Sequence, residues 1–206
     1  MNRKTDIKST TSIIVFIKNP RLGQVKTRLA KDVGDEKALE IYLQLTAHTH
    51  KVLAAVPDVN RCVYYSEFIG KSDDWSEDTF VKCLQSEGDL GDKIKYAFSD
   101  VFKQSDKAII IGSDCAQISA DHIQTAINLL ENNNVVIGPS LDGGYYLLGI
   151  DSHYQFLFED IKWSTDSVLE DTKSKALGNG LIVAEIETLS DIDYIEDWEK
   201  YGLDKR

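Results

Sequence analysis

Four basic residues, Lys18, Arg21, Lys26 and Arg28, fall within one short loop that also holds Pro20 and Gly23. The loop follows the apolar run IIVFI at residues 13–17, and Lys31 stands just beyond it. The chain as a whole has a formal net charge of -11, so the cluster reverses the local sign. A basic, glycine-containing turn between a buried strand and a helix suits an anion, because helix N-termini and loop N–H groups already favour phosphate. The spacing is not that of a Walker A loop, since Val25 precedes Lys26-Thr27 where glycine is required. Nor is it a dinucleotide fingerprint, because Gly23 stands alone. The plain alternative is a solvated basic turn without a ligand.

Acidic and glycine-rich segments recur further along. Ile109-Ile110-Ile111-Gly112-Ser113-Asp114-Cys115 is a dry strand that delivers one carboxylate to its end. Asp114 suits a hard divalent cation, Mg²⁺ or Mn²⁺, which takes one or two carboxylates and completes its shell with water and substrate phosphates. A second carboxylate is available from Asp191-Ile192-Asp193, with Asp193 the preferred ligand. Helix or turn capping is the competing role for these acids. In residues 138–146, Asp142, Gly143 and Gly144 allow close backbone approach, and Tyr145 and Tyr146 can wall a pocket. Residues 85–92, QSEGDLGD, form an acidic turn in which Gln85 and Gly88 can contact a ribose or base, or which can simply cap the next helix. Trp163 can line a pocket, while Ser164 and Thr165 read as helix caps.

Other reactive residue types read as structural. Cys115 lacks an evident activating base, and Asp114 beside it opposes thiolate formation. His48 and His50 lie two apart on a helix and face different ways, while His122 and His153 are isolated, so packing is expected of all four. The three cysteines have no C-x-x-C spacing, which argues against a zinc ribbon or a disulfide framework and favours a reducing compartment.

The elements that must position these residues follow from hydrophobic period. Apolar runs at 13–17, 62–65, 79–84, 108–111, 135–137, 145–150 and 181–186 read as strands. Helical stripes begin at Ala38, Ile94, Ile123 (with Ser119 as N-cap), Thr165 and Tyr194. This alternation predicts a three-layer α/β/α sandwich around a mainly parallel, mixed sheet, in which ligands sit beyond the carboxyl ends of the strands. Residues 1–12 read as a polar tail, residues 13–206 as one domain, and residues 70–78 as an exposed connection. With 34 acidic against 23 basic residues, broad nucleic-acid binding is not expected. No apolar run is long enough to span a bilayer, so a cytoplasmic protein is expected.

In this order and spacing, residues 18–29, 85–91, 112–115, 138–145, 163–165 and 191–193 resemble the bacterial rSAM/selenodomain-associated transferase family, long described as a domain of unknown function. That family lies within the glycosyltransferase-A-like, nucleotide-diphospho-sugar transferase superfamily. Similarity to the guanylyltransferases that activate 2-phospholactate, and to molybdopterin nucleotidyltransferases, is fainter. Two departures stand out: Ala116 replaces a proline, and Tyr194-Ile195 replaces Thr-Pro. The resemblance implies a GT-A-like fold and a metal-dependent transferase acting on a nucleotide-sugar and a small-molecule acceptor. Nucleotidyl transfer from a nucleoside triphosphate is the alternative, and a non-catalytic nucleotide binder a more distant one. In this reading Lys18, Arg21, Gly23, Lys26, Arg28, Gln85 and Gly88 hold the nucleotide, and Lys26 and Asp114 act in catalysis. Asp114 and Asp193 hold metal, and Asp142, Gly143, Gly144 and Tyr145 face the acceptor.

Overall fold

The computed structural model describes residues 10–71 and 73–203. Its strands are β1 (Thr11–Ile17), β2 (Asn60–Tyr65), β3 (Val81–Leu84), β4 (Lys107–Ile111), β5 (Val135–Pro139), β6 (Tyr145–Ile150) and β7 (Val183–Glu185). The helices are α1 (Ala30–Val33), α2 (Asp35–Ala55), α3 (Leu90–Val101), α4 (Ala120–Leu129), α5 (Val168–Gly178) and α6 (Ile195–Tyr201), with a 3₁₀ turn at Gln155–Phe158. The strands form one seven-stranded sheet in the order β3-β2-β1-β4-β6-β5-β7. Every neighbouring pair is parallel except β4–β6 and β5–β6, so the sheet is mixed because β6 alone runs backwards.

Strand periodicity builds the layers. Successive side chains on a strand point to opposite faces. Ile13, Val15 and Ile17 therefore pack with Val52 and Leu53 of α2 and Ile123 and Ala126 of α4 on one face. Ile14 packs with Ile94, Ala97 and Phe98 of α3 and Ala176 of α5 on the other. A smaller cluster joins Leu29, Ala38, Ile41, Leu45, Ala116 and Ile192, with Ile195 and Trp198 of α6 against it. That cluster pins the loop after β1 and the chain's last helix to the same end of the sheet.

Some boundaries differ from the sequence reading. Of the tail expected over residues 1–12, residues 1–9 lie outside the described residues, while Thr11 and Ser12 are buried in β1. Two short elements, α1 and the 3₁₀ turn, are too brief to show a period. Helix α5 starts at Val168 and not near Thr165, and the turn before it contains Ser164 at a positive φ of 63°. Ser167, not Ser164 or Thr165, is its N-cap. Ser119 does precede α4, and His122 reaches back to accept its N–H at 3.1 Å. Among the described residues, no helix is long and apolar enough to cross a membrane.

The stretch 70–78 is not simply an exposed connection. Trp75 is only 4% exposed. Its ring meets His50 and Phe80 edge-on at 5.2 and 4.9 Å, which closes the core over the end of α2. Burial of so large an aromatic surface sets the cost of its removal. Trp75→Ala should destabilise the fold by about 3–5 kcal/mol in urea denaturation. A loss below about 1 kcal/mol would show that this aromatic cluster does not hold the segment.

Candidate active site

In a doubly wound sheet the crevice opens where successive connections leave in opposite directions. Here that point lies between β1 and β4, since β2 pairs on one side of β1 and β4 on the other. The loops following β1, β2, β3, β4 and β5 all emerge at this edge, and β6 begins there.

The basic loop enters the crevice through one strained residue. Val25 and Leu29 are buried anchors, and between them Lys26 adopts a left-handed φ of 47°. A non-glycine residue in that region costs of order 1–3 kcal/mol and persists only where the surroundings enforce it. The result is a lysine side chain only 4% exposed, whose Nζ lies 2.8 Å from Asp114 Oδ2 and 3.4 Å from Asp193 Oδ1. Burial alone would lower the pKa of this ammonium, but Asp114 and Asp193 more than offset it, so the net shift is upward and Lys26 stays charged. Arg28 donates to Asp193 Oδ2 at 2.9 Å and lies over the Tyr194 ring. Asp193 is itself fixed from behind, because its N–H and that of Tyr194 both donate to Asp197 Oδ2 at the start of α6. The Ile192 N–H donates to the Asp114 carbonyl at 3.0 Å, which ties the two acidic segments together.

Asp191 is the buried acid of the group. It accepts from the Ser140 hydroxyl at 3.0 Å. Burial raises its pKa and the charge of Asp114 raises it further, with the Ser140 bond and Lys26 opposing in part, so that it is pushed up to about 7. The expected second metal ligand, Asp193, is thus engaged by two cations, while Asp191 is the carboxylate that Asp114 burdens with like charge. Hard oxygens under excess negative charge suit a divalent cation such as Mg²⁺ or Mn²⁺. Among the described residues no group of three or more His, Cys, Asp or Glu is arranged to hold a metal by itself. A cation here would therefore draw part of its shell from water and substrate.

The other expected contacts divide into two groups. Lys18 is exposed, and its backbone N–H and carbonyl are both held by the Tyr42 hydroxyl, at 2.8 and 2.7 Å. Gly23 has a φ of 71°, which lets the loop turn back towards α2. Within the basic loop the Arg21 side chain does not join Lys26 and Arg28 but pairs with Glu67 at 2.8 Å. Gln85 donates its amide to the carbonyls of Ile17 at 3.2 Å and Tyr64 at 3.1 Å, locking three strand ends. Beside it lies a cleft of about 440 Å³ whose walls include Ser66, Glu67, Gln85, Ser86, Gly88 and Lys93. Gly88 has a φ of 105° that L side chains rarely adopt, and a Cβ there would fall 2.8 Å from the Asp92 Cβ.

On the far side of the crevice, Asp142, Gly143 and Gly144 make the tight β5–β6 turn. Asp142 Oδ1 accepts the Gly144 N–H at 2.9 Å, and a Cβ on Gly143 would strike the Asp166 carbonyl. Tyr145 does not join them. Strand alternation turns its ring against the core, where its hydroxyl is buried beside Thr172 of α5. Trp163 lies against the first turn of α3, with Nε1 2.2 Å from where a Cβ on Gly91 would be. Cys115 is buried in the core, and the four histidines cap, pack or bond backbone. The sequence reading missed Asn19, Tyr42, Glu67 and Ser140, none of which carried a local signal, and it named Asp191 only as the less preferred partner of Asp193.

The raised Asp191 pKa has a consequence for stability. An unfolded aspartate ionises near 3.8, so between about pH 4 and pH 7 the folded chain keeps a proton that the unfolded chain has lost. Stability should therefore fall as pH rises through that window. Asp191→Asn cannot ionise and should remove the fall, leaving the variant more stable than wild type at about pH 8 by on the order of a few kcal/mol. Urea denaturation of both proteins in chelator at about pH 4 and pH 8 measures the difference. Parallel pH dependences would show that Asp191 is ionised and at ease in the fold.

Comparison with known proteins agrees with this geometry. A curated relative, the 2-phospho-L-lactate guanylyltransferase of Methanocaldococcus sp. (strain FS406-22), is 28% identical over 188 residues, covering 88% of this chain and 80% of the relative. A solved protein from Desulfovibrio desulfuricans G20, provisionally assigned as a nucleotide-diphospho-sugar transferase, superposes with a TM-score of 0.81 at 29% identity, over 91% of this chain and 84% of the other. The inositol-1-phosphate CTP transferase from T. maritima shares the fold, with a TM-score of 0.62 at 16% identity over 96% of each chain. The family model described as "Uncharacterized protein conserved in bacteria (DUF2064)" matches residues 45–165, and this chain belongs to that family.

Proposed function

We propose that this protein is a nucleotidyltransferase that joins the nucleotide of a nucleoside triphosphate to an oxygen of a small-molecule acceptor. The observation that carries the proposal is the buried Lys26 ammonium paired with the half-exposed Asp114 carboxylate at the β1–β4 crevice, flanked by a 440 Å³ cleft on one side and the β5–β6 turn on the other. The cleft lies within the usual range of about 300–1,000 Å³ for small-molecule sites. The guanylyltransferase and the CTP transferase among the similar proteins support the same order of preference. Sugar transfer from a nucleotide-sugar, the reading the sequence placed first, becomes the second reading. It retains support from the provisional assignment of the Desulfovibrio desulfuricans protein.

In the proposed reaction the base and ribose occupy the cleft, and the phosphates lie along residues 18–28. The acceptor oxygen attacks the α-phosphorus, the bond from that phosphorus to the bridging oxygen breaks, and pyrophosphate leaves. Charge grows on phosphate oxygens, where a preorganised ammonium stabilises it most in a site with little water. Lys26 is fixed there by strain and by burial, so no reorganisation is needed at the moment of transfer. Arg28, 57% exposed along its side chain, can exchange its bond to Asp193 for a phosphate. Asp114 and Asp191 would hold Mg²⁺ or Mn²⁺, which when bound supplies further neutralisation of phosphate charge. The turn at Asp142, Gly143 and Gly144 would border the acceptor.

Pyrophosphate release from a nucleoside triphosphate, followed across a panel of phosphorylated and hydroxylated acids, tests the reaction. Consumption of a nucleotide-sugar without pyrophosphate would establish the second reading in its place. Two further outcomes follow from the site. Lys26→Ala and Arg28→Ala should weaken binding of di- and triphosphates about tenfold to a hundredfold by calorimetry, with little effect on the free nucleoside. Equal losses for all three ligands would mean that the loop shapes the pocket without reading phosphate. Asp114→Asn should abolish the Mg²⁺ dependence of triphosphate binding while the protein remains folded. A metal dependence equal to that of the wild type would remove Asp114 from the metal site.

A further inference from the structure

The wall of the cleft is held by a buried amide. Asn19 donates from Nδ2 to the Phe68 carbonyl at 2.8 Å, and its Oδ1 accepts the N–H groups of Glu67 at 2.9 Å and Phe68 at 3.2 Å. Its own N–H donates to Ser66 Oγ at 3.1 Å. One buried side chain on the phosphate loop thus fixes three consecutive residues of the neighbouring wall. The segment so fixed presents Glu67, whose carboxylate is 45% exposed and pairs with Arg21 at 2.8 Å. The Arg21 guanidinium in turn lies 5.2 Å from the centre of the Phe68 ring.

A carboxylate beside a guanidinium sets acceptors next to donors, and few bases match that order. A carboxylate can accept two hydrogen bonds from one edge only where two donor groups are adjacent. Guanine offers N1–H and the N2 amino group side by side, with O6 next to them as an acceptor for a guanidinium. Adenine, cytosine and uracil each set an acceptor beside their single donor group on that edge, and a carboxylate repels it. We propose that Glu67, presented by Asn19 and flanked by Arg21, is the specificity-determining residue of the cleft and selects guanine; this rests on the nucleotide reading given above. Arg21 then serves the base and not the phosphates.

Calorimetry of GTP, ATP, CTP and UTP in Mg²⁺ with wild type, Glu67→Gln and Asn19→Ala tests the inference. The wild type should prefer GTP by about tenfold or more. Glu67→Gln should lose that preference by weakening GTP alone, with the other three within about threefold of wild type. Glu67 is exposed enough that the variant should keep the wild-type melting temperature. Asn19→Ala should narrow the preference in the same way and should speed amide exchange at Glu67 and Phe68, where its bonds are lost. A wild type that binds all four alike, or prefers another base, overturns the inference and leaves the nucleotide reading standing. So does a guanine preference that survives Glu67→Gln. Binding of none of the four overturns both.

Discussion

Lys26 carries its ammonium almost out of solvent, and that charge is sustained only because carboxylates meet it there. Taking an ion out of water costs several kcal/mol even after relaxation, so an unpaired ammonium at this point would deprotonate or drag the loop outward. Asp114 and Asp193 prevent both outcomes. The dependence runs the other way as well, because the acidic edge at Asp114, Asp191 and Asp193 would repel itself without a cation at its centre. The loop after β1, the end of β4 and the approach to α6 are therefore one electrostatic unit contributed from three parts of the chain.

The fold keeps that unit in register by apolar means. Leu29 and Ile192 lie in one buried cluster with Ala38, Ile41 and Leu45 of α2, so the basic loop and the acidic segment are packed against the same helix. Packing fixes the distances and charge fixes the protonation, which is why a left-handed lysine can persist. The polar links across the edge are directional where the packing is not. Tyr42 holds the backbone of Lys18, Gln85 joins the ends of β1, β2 and β3, and Asn19 holds residues 66–68. Together they make a rim beside a sheet whose central strands, β1, β4, β5 and β6, are buried on both faces.

That rim divides the crevice by chemistry. On the β2 and β3 side the cleft is lined by neutral and acidic groups together with Lys93, suited to a base and ribose. At the centre, cations and carboxylates meet. On the β5 and β6 side the chain offers a glycine turn whose backbone is closely packed against Asp166 and Leu169. A preorganised site of this kind needs little motion to stabilise developing charge.

The sequence by itself determined the layers and the edge. Apolar runs of strand length alternating with helical stripes are a local property, and Ile13 to Ile17 announces a doubly buried strand whatever follows it. The position of Asp114 after such a strand, and of four bases after another, placed both at the ligand-binding edge by the general rule for open sheets. Tertiary structure decided which of these groups meet. Most residues between 18 and 28 are polar or flexible enough for many turns, and only the packing of Val25 and Leu29 forces Lys26 inward while Arg21 turns to Glu67. Asp191 and Asp193 sit two apart, and their different fates depend on Ser140 and on Lys26 with Arg28, which come from distant parts of the chain. Trp75 and Tyr145 were misplaced for the same reason. Burial of one side chain in a polar stretch, or the face taken by the first residue of a strand, is set by long-range contacts that local periodicity does not encode.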